Sequence, residues 1–319
     1  MVRTCLGIDL GGSKIHVGVV DREGRILASH LAPTDIERGV GSVAESIAVM
    51  AERCIAEAGV DVLAAGIGIA GQIDTAAGIV RSSPNLTAWI DVPLAMQLAD
   101  RLRVPVIATN DLRAIALGEW RFGAGRGVSE LVVLFIGTGV GGAVIARDRP
   151  LVGAGGYGGE LGHMPIVASG RKCHCPGRGC VEAYVSGWAL AARAAELLAM
   201  HPEHAPAFGA DDGMVTAREI ASAYAAGDEL GEQIVLEAGD HLGAALVAIT
   251  NAFNPARIIL GGGVIDGLPA IGELAESRLR QDAIVVSRDR VRIVRSSLGS
   301  AAGVIGAAMW AWDEVTAAK

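Results

Sequence analysis

The residues with the most specific chemistry lie in one short segment, where a histidine precedes three cysteines. His163, Cys173, Cys175 and Cys180 have the spacing H-x9-C-x-C-x4-C, and the loop between them contains glycine and proline. Imidazole and thiolate are ligands that zinc prefers, and four protein ligands leave no position open for catalysis by the metal. The spacing therefore predicts a structural zinc site.

Two alternatives to a metal site are three ordinary buried thiols and a disulfide. The chain has five cysteines in 319 residues, and three of them lie in this segment, which disfavours chance placement. An odd local number, in a chain that begins without the layout of a signal peptide, disfavours a disulfide. Cys5 lies in a predicted strand and Cys54 in a predicted helix, so we expect both to be small buried side chains.

Polar side chains that suit a polar ligand lie beside the cysteines and at the end of a strand. Glu160 and Glu182 flank the metal-binding segment, and Asn110 and Asp111 follow a short apolar strand. Ligand groups of α/β enzymes collect at the carboxyl ends of strands, which favours a functional Asp111. The alternative is that Asp111 caps the helix that follows, a position that aspartate suits.

Three glycine-rich turns follow apolar strands and are candidate phosphate or nucleoside sites. The first contains Asp9, Gly11, Gly12, Ser13 and Lys14, the second contains Gly137, Thr138 and Gly139, and the third contains Gly261, Gly262 and Gly263. Glycine lets backbone N–H groups approach phosphate oxygens. None of the three matches a Walker A loop or a Rossmann fingerprint. The first two share one plan of strand, glycine turn, strand, charged hairpin and strand, which indicates an internal duplication.

Length and composition limit the class of protein. A chain of 319 residues suggests two domains, and 51% hydrophobic residues with 44 glycines and 4% aromatics indicate an α/β protein. The mean hydropathy is +0.42, but no apolar run approaches about 20 residues, so we expect no membrane span. A net charge of −8 and a pI near 5.4 disfavour nucleic-acid binding and fit a cytoplasmic protein.

Eight motifs follow one another along the chain. They are D-L-G-G-S-K (9–14), S-P-N-L-x-x-W (83–89), T-N-D (109–111), G-T-G-V-G-G (137–142), G-E-L-G-H (159–163), C-H-C-P-G-R-G-C-V-E (173–182), the glycines at 261–263 and S-A-A-G-V-I-G-A-A (300–308). In this order the motifs resemble the ROK family, which groups bacterial sugar kinases with sugar-responsive repressors. The resemblance covers essentially the whole chain and implies an actin-like sugar-kinase fold, with two α/β domains around a deep cleft.

The resemblance also implies a role for each candidate residue. Asp111 would be the general base that takes the proton from a sugar hydroxyl, and Asp9 would help to position Mg²⁺. The sugar would be bound by Gly71, Asn85, Asn110, Asp111, Glu160, His163 and Glu182. ATP phosphates would lie on Gly11, Gly12, Ser13, Lys14, Gly137, Thr138 and Gly139, with the nucleoside beside Gly261, Gly262 and Gly263. The structural Zn²⁺ would be held by His163, Cys173, Cys175 and Cys180.

The implied activity is ATP-dependent phosphorylation of a hexose, with the 6-hydroxyl of glucose as the acceptor, because the 83–89 turn resembles that of glucose-specific members. Alternative acceptors are N-acetylmannosamine, N-acetylglucosamine, mannose, fructose and allose. A non-catalytic sugar sensor is the other alternative. Only eight residues precede Asp9, where a repressor needs a winged-helix segment, so we expect the enzyme. We also expect a homodimer or a homotetramer.

The duplication predicts where the domains lie. We expect a smaller domain over residues 1–115, completed by a C-terminal helix at 301–319, and a larger domain over 116–300 that carries the zinc loop. Within the larger domain, Thr216 and Glu219 have the spacing of a capping box and predict the start of a helix.

Overall fold

The computed structural model describes residues 3–83, 86, 89–209 and 215–317. Its strands are β1 (Thr4–Leu10), β2 (Lys14–Asp21), β3 (Ile26–Pro33), β4 (Val62–Ile69), β5 (Gln72–Asp74), β6 (Ile79–Ser82), β7 (Ile90–Val92), β8 (Val106–Asn110), β9 (Leu131–Ile136), β10 (Val140–Ala146), β11 (Arg149–Pro150), β12 (Arg257–Gly261) and β13 (Arg292–Arg295).

The helices alternate with these strands along much of the chain. They are α1 (Val40–Ala58), α2 (Leu94–Leu102), α3 (Asp111–Phe122), α4 (Glu182–Val185), α5 (Gly187–Met200), α6 (Ala205–Phe208), α7 (Ala217–Ala225), α8 (Glu229–Phe253), α9 (Gly263–Gly267), α10 (Pro269–Asp282), α11 (Val285–Arg288) and α12 (Ala302–Ala317). Short 3-10 turns occur as well, including one at Leu161–His163.

The first sheet has the strand order β3-β2-β1-β4-β8. β1 pairs in parallel with β4 and antiparallel with β2, and β8 pairs in parallel with β4. The central strand β1 is buried along almost its whole length, whereas the edge strand β3 alternates between half-buried and exposed residues. These are the patterns expected of a parallel strand covered on both faces and of an antiparallel strand with one face in water.

The second sheet, β11-β10-β9-β12-β13, repeats the plan of the first. In each, a central strand is followed by two strands that extend the sheet on one side, and later strands extend it in parallel on the other. A small antiparallel sheet, β5-β6-β7, interrupts the first copy of the plan. The duplication predicted from the two glycine turns is therefore present in the strand order.

The chain divides into two compact units. The first comprises Met1–Ser129, Ala143–Gly159 and Ser296–Lys319, and the second comprises Glu130–Gly142 and Glu160–Arg295. The division predicted near residue 115 falls inside α3, whose helical hydrogen bonding continues to Phe122, so the boundary found from contacts lies further along the chain. The segment 143–159, assigned to the larger domain in the sequence analysis, groups with the first unit.

The last helix of the described chain, α12, packs on the first sheet within unit 1. Its backbone lies so close to β1 and β4 that a Cβ atom at Gly7 or Gly66 would overlap the carbonyl groups of Val304 or Ala307. Small residues on both surfaces let the helix lie directly on the strands that end at the candidate site.

Two local predictions from the sequence are confirmed. Thr216 caps α7, its hydroxyl accepting from the N–H of Arg218 while the Glu219 carboxylate accepts from the N–H of Thr216. Cys5 and Cys54 are fully buried, in β1 and α1. In the described part of the chain, no helix combines the length and the apolar character needed to cross a bilayer.

Candidate active site

The first glycine turn joins β1 to β2 and is held by hydrogen bonds from its own sheet. The N–H of Gly11 donates to the carbonyl of Lys14 at 3.0 Å, which closes the turn. Just beyond β3, the hydroxyl of Thr34 donates to the carbonyl of Gly11 at 2.7 Å, and the N–H of Thr34 donates to the carbonyl of Ser13 at 3.1 Å. A buried threonine just beyond the neighbouring strand thus fixes the turn.

Asp9 lies on β1 just before this turn, in a crowded position. Burial raises the pKa of Asp9 to about 6, and the ammonium group of Lys14 acts in the opposite direction. A Cβ atom at Gly303, near the start of α12, would overlap the Asp9 carboxylate. A nearby cation favours the ionised form of a buried carboxylate, so this position suits a group that helps to hold Mg²⁺.

Asn110 and Asp111 lie at the carboxyl end of β8, where the strand passes directly into α3. The side-chain oxygen of Asn110 accepts from the N–H groups of Leu112 and Arg113 at 3.0 and 3.2 Å, so Asn110 is the residue that caps the helix. Asp111 is the first residue of α3. The alternative that Asp111 serves as the cap is therefore wrong.

Asn110 also connects α3 to the loop after β4. Its amide nitrogen donates to the carbonyl of Gly71 at 3.2 Å. The side-chain oxygen already accepts two hydrogen bonds, so Asn110 retains one amide hydrogen with which to bind a further acceptor. Asn85, the remaining sugar-binding candidate of this unit, lies outside the described residues.

Arg113 is a residue of this region that the sequence analysis missed. Its side chain is 3% exposed and lies over the ring of Trp310 at 5.7 Å. The guanidinium donates to the carbonyls of Gly156 and Gly158, at 2.8 and 3.3 Å, in the glycine-rich loop that ends at Glu160. Residue 113 shares a helix face with the buried Ala116 and Leu117, and a charge on such a face was the available signal.

The second glycine turn joins β9 to β10 in unit 2. The N–H of Gly137 donates to the carbonyl of Gly139 at 2.9 Å, and the N–H of Gly187, at the start of α5, donates to the carbonyl of Gly137 at 2.8 Å. A Cβ atom at Gly139 would lie 2.6 Å from a carboxylate oxygen of Glu182. The turn is therefore packed against the segment that follows the cysteines.

The four predicted metal ligands come together in the same unit. One ligand atom from each of His163, Cys173, Cys175 and Cys180 lies within 4.8 Å of all the others. The Sγ atom of Cys173 is 3.7 Å from Nδ1 of His163, and the Sγ atoms of Cys175 and Cys180 are 3.6 Å apart. A tetrahedral zinc with Zn–S bonds of about 2.3 Å places its sulfur ligands about 3.8 Å apart, so the cluster fits the ion.

The pKa values of the three thiols bear on how the cluster would bind a metal. Burial raises the pKa of Cys173 to about 12 and also raises the pKa of Cys180. For Cys175 burial acts in the same direction, but the N–H of Gly177 and the two other thiols lower its pKa overall. Metal binding must therefore displace protons from the thiols, which makes the affinity pH-dependent.

Glu182 lies between the metal cluster and the second glycine turn. The residue is 9% exposed. One carboxylate oxygen accepts from the N–H of Val140 at 2.9 Å, and the other is 3.7 Å from Sγ of Cys173. Glu160 begins the 3-10 turn that carries His163, and its carbonyl accepts from the N–H of His163 at 3.1 Å.

The third glycine run, at the end of β12, is a strand-to-helix turn. Cβ atoms at Gly261 and Gly262 would collide with the ring of Phe135 and with the carbonyl of Ile136 on β9. Gly263 begins α9, and nothing lies within 4 Å of a Cβ atom built there. Two of these glycines serve the packing of β12 on β9, and Gly263 is the one with open space for a ligand.

Within unit 1 the structure brings together Gly71, Asn110 and Asp111 at the ends of β4 and β8. Within unit 2 it brings together the four metal ligands, Glu182 and Gly139. These two groups contain carboxylates, an amide, an imidazole and backbone N–H groups, which are the groups needed to bind a polyhydroxylated ligand and phosphate.

A model of the ROK family matches residues 5–314 of the chain. The chain belongs to the ROK family. It is 35% identical to a glucokinase from Thermotoga maritima over 312 residues, which is 95% of each sequence. The family predicted from the motifs is thus confirmed.

Solved structures of ROK proteins give the same result for the fold. A ROK hexokinase from Thermus thermophilus superimposes with a TM-score of 0.84 at 35% identity, covering 98% of this chain and 99% of that one. A ROK glucokinase from Streptomyces griseus, in complex with glucose and AMPPNP, gives a TM-score of 0.81 at 34% identity, covering 97% and 99%. The predicted actin-like sugar-kinase fold is confirmed.

Repressors of the family are also related to this chain. A xylose repressor from Caldicellulosiruptor bescii is 28% identical over 312 residues, which is 96% of this chain and 77% of the repressor. The relatives therefore include both kinases and transcriptional regulators, and the Thermotoga maritima glucokinase, at 35% identity, is more similar to this chain than the Caldicellulosiruptor bescii repressor.

Proposed function

We propose that this protein is an ATP-dependent hexose kinase that phosphorylates the 6-hydroxyl of glucose. The observation that carries the proposal is the position of Asp111, which opens α3 at the carboxyl end of β8 while the neighbouring Asn110 caps the helix. Similarity to glucokinases from Thermotoga maritima and Streptomyces griseus supports glucose as the acceptor.

In this proposal each unit supplies part of the chemistry. Asp111 takes the proton of the attacking hydroxyl, and the remaining amide hydrogen of Asn110 binds a sugar oxygen. Glu160, His163 and Glu182 are proposed to bind other hydroxyls, and Gly71 and Asn85 are proposed as further sugar-binding residues. Phosphoryl transfer requires alignment and charge neutralisation more than covalent chemistry, so positioned donors and acceptors of this kind are sufficient.

The two glycine turns hold the phosphates. Within Gly11–Lys14 and Gly137–Gly139, the backbone N–H groups of Gly11 and Gly137 already close the turns, so the phosphate oxygens are proposed to bind other N–H groups of these segments, and the ammonium group of Lys14 adds a positive charge. Gly263, with Gly261 and Gly262, borders the nucleoside. Asp9 helps to hold Mg²⁺, which neutralises charge that develops on the phosphates.

The metal in the cluster of His163, Cys173, Cys175 and Cys180 is proposed to be one structural Zn²⁺. With four protein ligands it has no position for substrate, so its part is to fix the loop. A homodimeric or homotetrameric assembly and a cytoplasmic location stay predictions. Light scattering on the purified protein measures the first of these.

The proposal is tested with Asp111→Asn. The amide keeps an acceptor oxygen but is no base, so we expect kcat to fall by about 10²- to 10⁴-fold while the sugar dissociation constant stays within about tenfold. Wild type and variant are compared in a coupled assay with ATP and Mg²⁺ against a panel of hexoses, and sugar binding is measured separately by calorimetry.

The results separate the possible functions. Turnover retained in Asp111→Asn would remove Asp111 from the role of base. A preference of the wild type for another hexose would replace glucose as the substrate. Sugar binding by the wild type without turnover on any member of the panel would instead assign the chain to the sensor function of the repressor relatives.

A further inference from the structure

The peptide groups of the second glycine turn are contacted on both sides by residues adjacent to metal ligands. Glu182, two positions after Cys180, accepts from the N–H of Val140 at 2.9 Å. Gly162, the residue before His163, lies so close to Val140 that a Cβ atom at 162 would overlap the Val140 carbonyl. The backbone that leaves the turn is therefore bracketed by the two ends of the metal-binding segment.

The other end of the turn is held by the same stretch of chain. α4 begins at Glu182 and leads to Gly187, whose N–H donates to the carbonyl of Gly137 at 2.8 Å. Contacts from residues 162, 182 and 187 thus meet the turn at residues 137, 139 and 140. The turn takes its shape from a segment that the metal is proposed to order.

Glu182 is the side chain through which the metal cluster reaches the turn. One of its oxygens is bonded to Val140, and the other is 3.7 Å from Sγ of the metal ligand Cys173. Glu182 is 9% exposed as a residue, so its side chain has little freedom to move without disturbing one of these contacts. A change in the position of Cys173 would therefore act on Glu182, and through Glu182 on the Val140 N–H.

We propose that Glu182 is a positioning residue that couples metal occupancy to the second glycine turn, so that the bound zinc strengthens nucleotide binding. The inference rests on the proposed function in one respect, the assignment of Gly137–Gly139 to phosphate. Coupling between two binding sites is reciprocal, so ATP must raise the affinity for zinc by the same factor by which zinc raises the affinity for ATP.

The experiment compares the wild type with Glu182→Ala, each with and without zinc, as a thermodynamic cycle. Wild type and Glu182→Ala are prepared with zinc and after treatment with a chelator, and metal content is measured for each. The dissociation constants of a non-hydrolysable ATP analogue with Mg²⁺ and of glucose are then determined by calorimetry. We expect removal of zinc to weaken nucleotide binding about tenfold in the wild type and less than about twofold in Glu182→Ala, because the variant lacks the connection.

Two further variants isolate the role of the carboxylate. Glu182→Gln keeps an oxygen that accepts from Val140, so its nucleotide binding is expected to lie closer to wild type than that of Glu182→Ala. Glu196→Gln is the matched control. Glu196 lies on α5 in the same unit, is paired with Arg171 at 3.0 Å and is exposed, and we expect it to show the wild-type response to zinc.

A reciprocal measurement covers the case in which the zinc-free protein unfolds. Zinc affinity is measured on the holoprotein by competition with a chelator, in the presence and absence of the ATP analogue, with thermal melting to confirm folding. We expect the analogue to raise zinc affinity about tenfold in the wild type and not in Glu182→Ala.

The outcomes are distinct for the inference and for the proposed function. Nucleotide affinity that does not respond to zinc in the wild type, or that responds equally in Glu182→Ala, overturns the coupling. If the zinc-loaded wild type does not bind the ATP analogue at all, the proposed function fails and the coupling fails with it.

Discussion

The two glycine turns follow the same plan but are supported in different ways. The first is closed by the hydrogen bond between Gly11 and Lys14 and fixed by the buried Thr34 just beyond β3. The second is closed by the hydrogen bond between Gly137 and Gly139 and fixed by Glu182 and by the backbone of Gly187, both of which follow the cysteine loop. Beyond its closing bond, one turn is supported by its own sheet and the other by a segment that is proposed to bind a metal.

The difference shows how duplicated elements can differ in what they depend on. Hydrogen bonds within a sheet form when the sheet folds, so the first turn needs no other component. Irregular loops bury little apolar surface for the backbone they order, and a bound metal supplies the missing stabilisation. The second turn should therefore respond to metal and to acid, whereas the first should not.

The largest difference between the two turns is expected when a metal ligand is lost, because only the second turn is supported by the segment that contains the ligands. Cys175→Ser replaces a thiolate with a poor zinc ligand, and we expect zinc affinity to fall by more than about 100-fold. Both sugar and nucleotide binding should weaken, since His163 belongs to the cluster and Glu160 and Glu182 lie close to it in the sequence. Metal analysis and separate titrations with glucose and an ATP analogue measure this.

The control for Cys175→Ser is the state of unit 1. If the melting curve shows loss of unit 2 alone, the affinities report unfolding of that unit and not displacement of the turn. A variant without zinc that binds nucleotide as the wild type does would show that the two turns are equally independent of the metal.

A change near the first turn should lower kcat and leave the zinc content unchanged. In Gly303→Val the new side chain collides with the Asp9 carboxylate, and displacement of a group that holds Mg²⁺ by about 1 Å is expected to lower kcat about 100-fold. Zinc content and glucose affinity should stay at the wild-type level. Kinetics at varied Mg²⁺ concentration test this, and loss of zinc from Gly303→Val would contradict the separation of the turns.

The cysteine cluster and the two duplicated turns could be predicted from the sequence, because their signals are local. The metal ligands lie within one short segment, and the spacing of histidine and cysteine alone indicated their assembly. The strands on either side of Gly11 and Gly139 showed the duplicated plan for the same reason. The capping box of Thr216 and Glu219 is encoded within four residues and was found as predicted.

The contacts that support each turn could not be predicted, because they join residues far apart in sequence. Glu182 and Val140 are 42 positions apart, and no periodicity encodes a hydrogen bond of that kind. The bond between Arg113 and Gly156 is of the same type. Asn110 and Asp111 are both good helix caps, and only the position at which α3 begins decided between them.

Gly139→Ala tests the contact of the second turn with Glu182. The added methyl group would lie 2.6 Å from the carboxylate, so Glu182 must move and the Val140 N–H loses its acceptor. We expect KM for ATP to rise about tenfold, with a smaller rise for the sugar. Steady-state kinetics in both substrates give the two values.

Gly137→Ala is the comparison for this variant. A Cβ atom at residue 137 meets nothing within 4 Å, so this variant measures only the effect of a methyl group on bound phosphate. The amount by which KM for ATP rises more in Gly139→Ala than in Gly137→Ala is the part of the effect that acts through Glu182. Equal effects in the two variants would remove Glu182 from the support of the turn.

The smallest effect is expected at Thr34, which supports the first turn from its position just beyond β3. Thr34→Val has nearly the same shape but leaves the Gly11 carbonyl without the hydroxyl that donates to it at 2.7 Å. Since Thr34 is buried, the cost is expected to be about 1–2 kcal/mol of unfolding free energy and a rise of a few-fold in KM for ATP. Thr34→Ser keeps the donor and should recover most of the loss.

The effect of Thr34→Val is measured by denaturant unfolding and by ATP kinetics, each with and without chelator. We expect the effect to be the same in both metal states. A dependence of that effect on zinc would mean that the support of the first turn also reaches the metal.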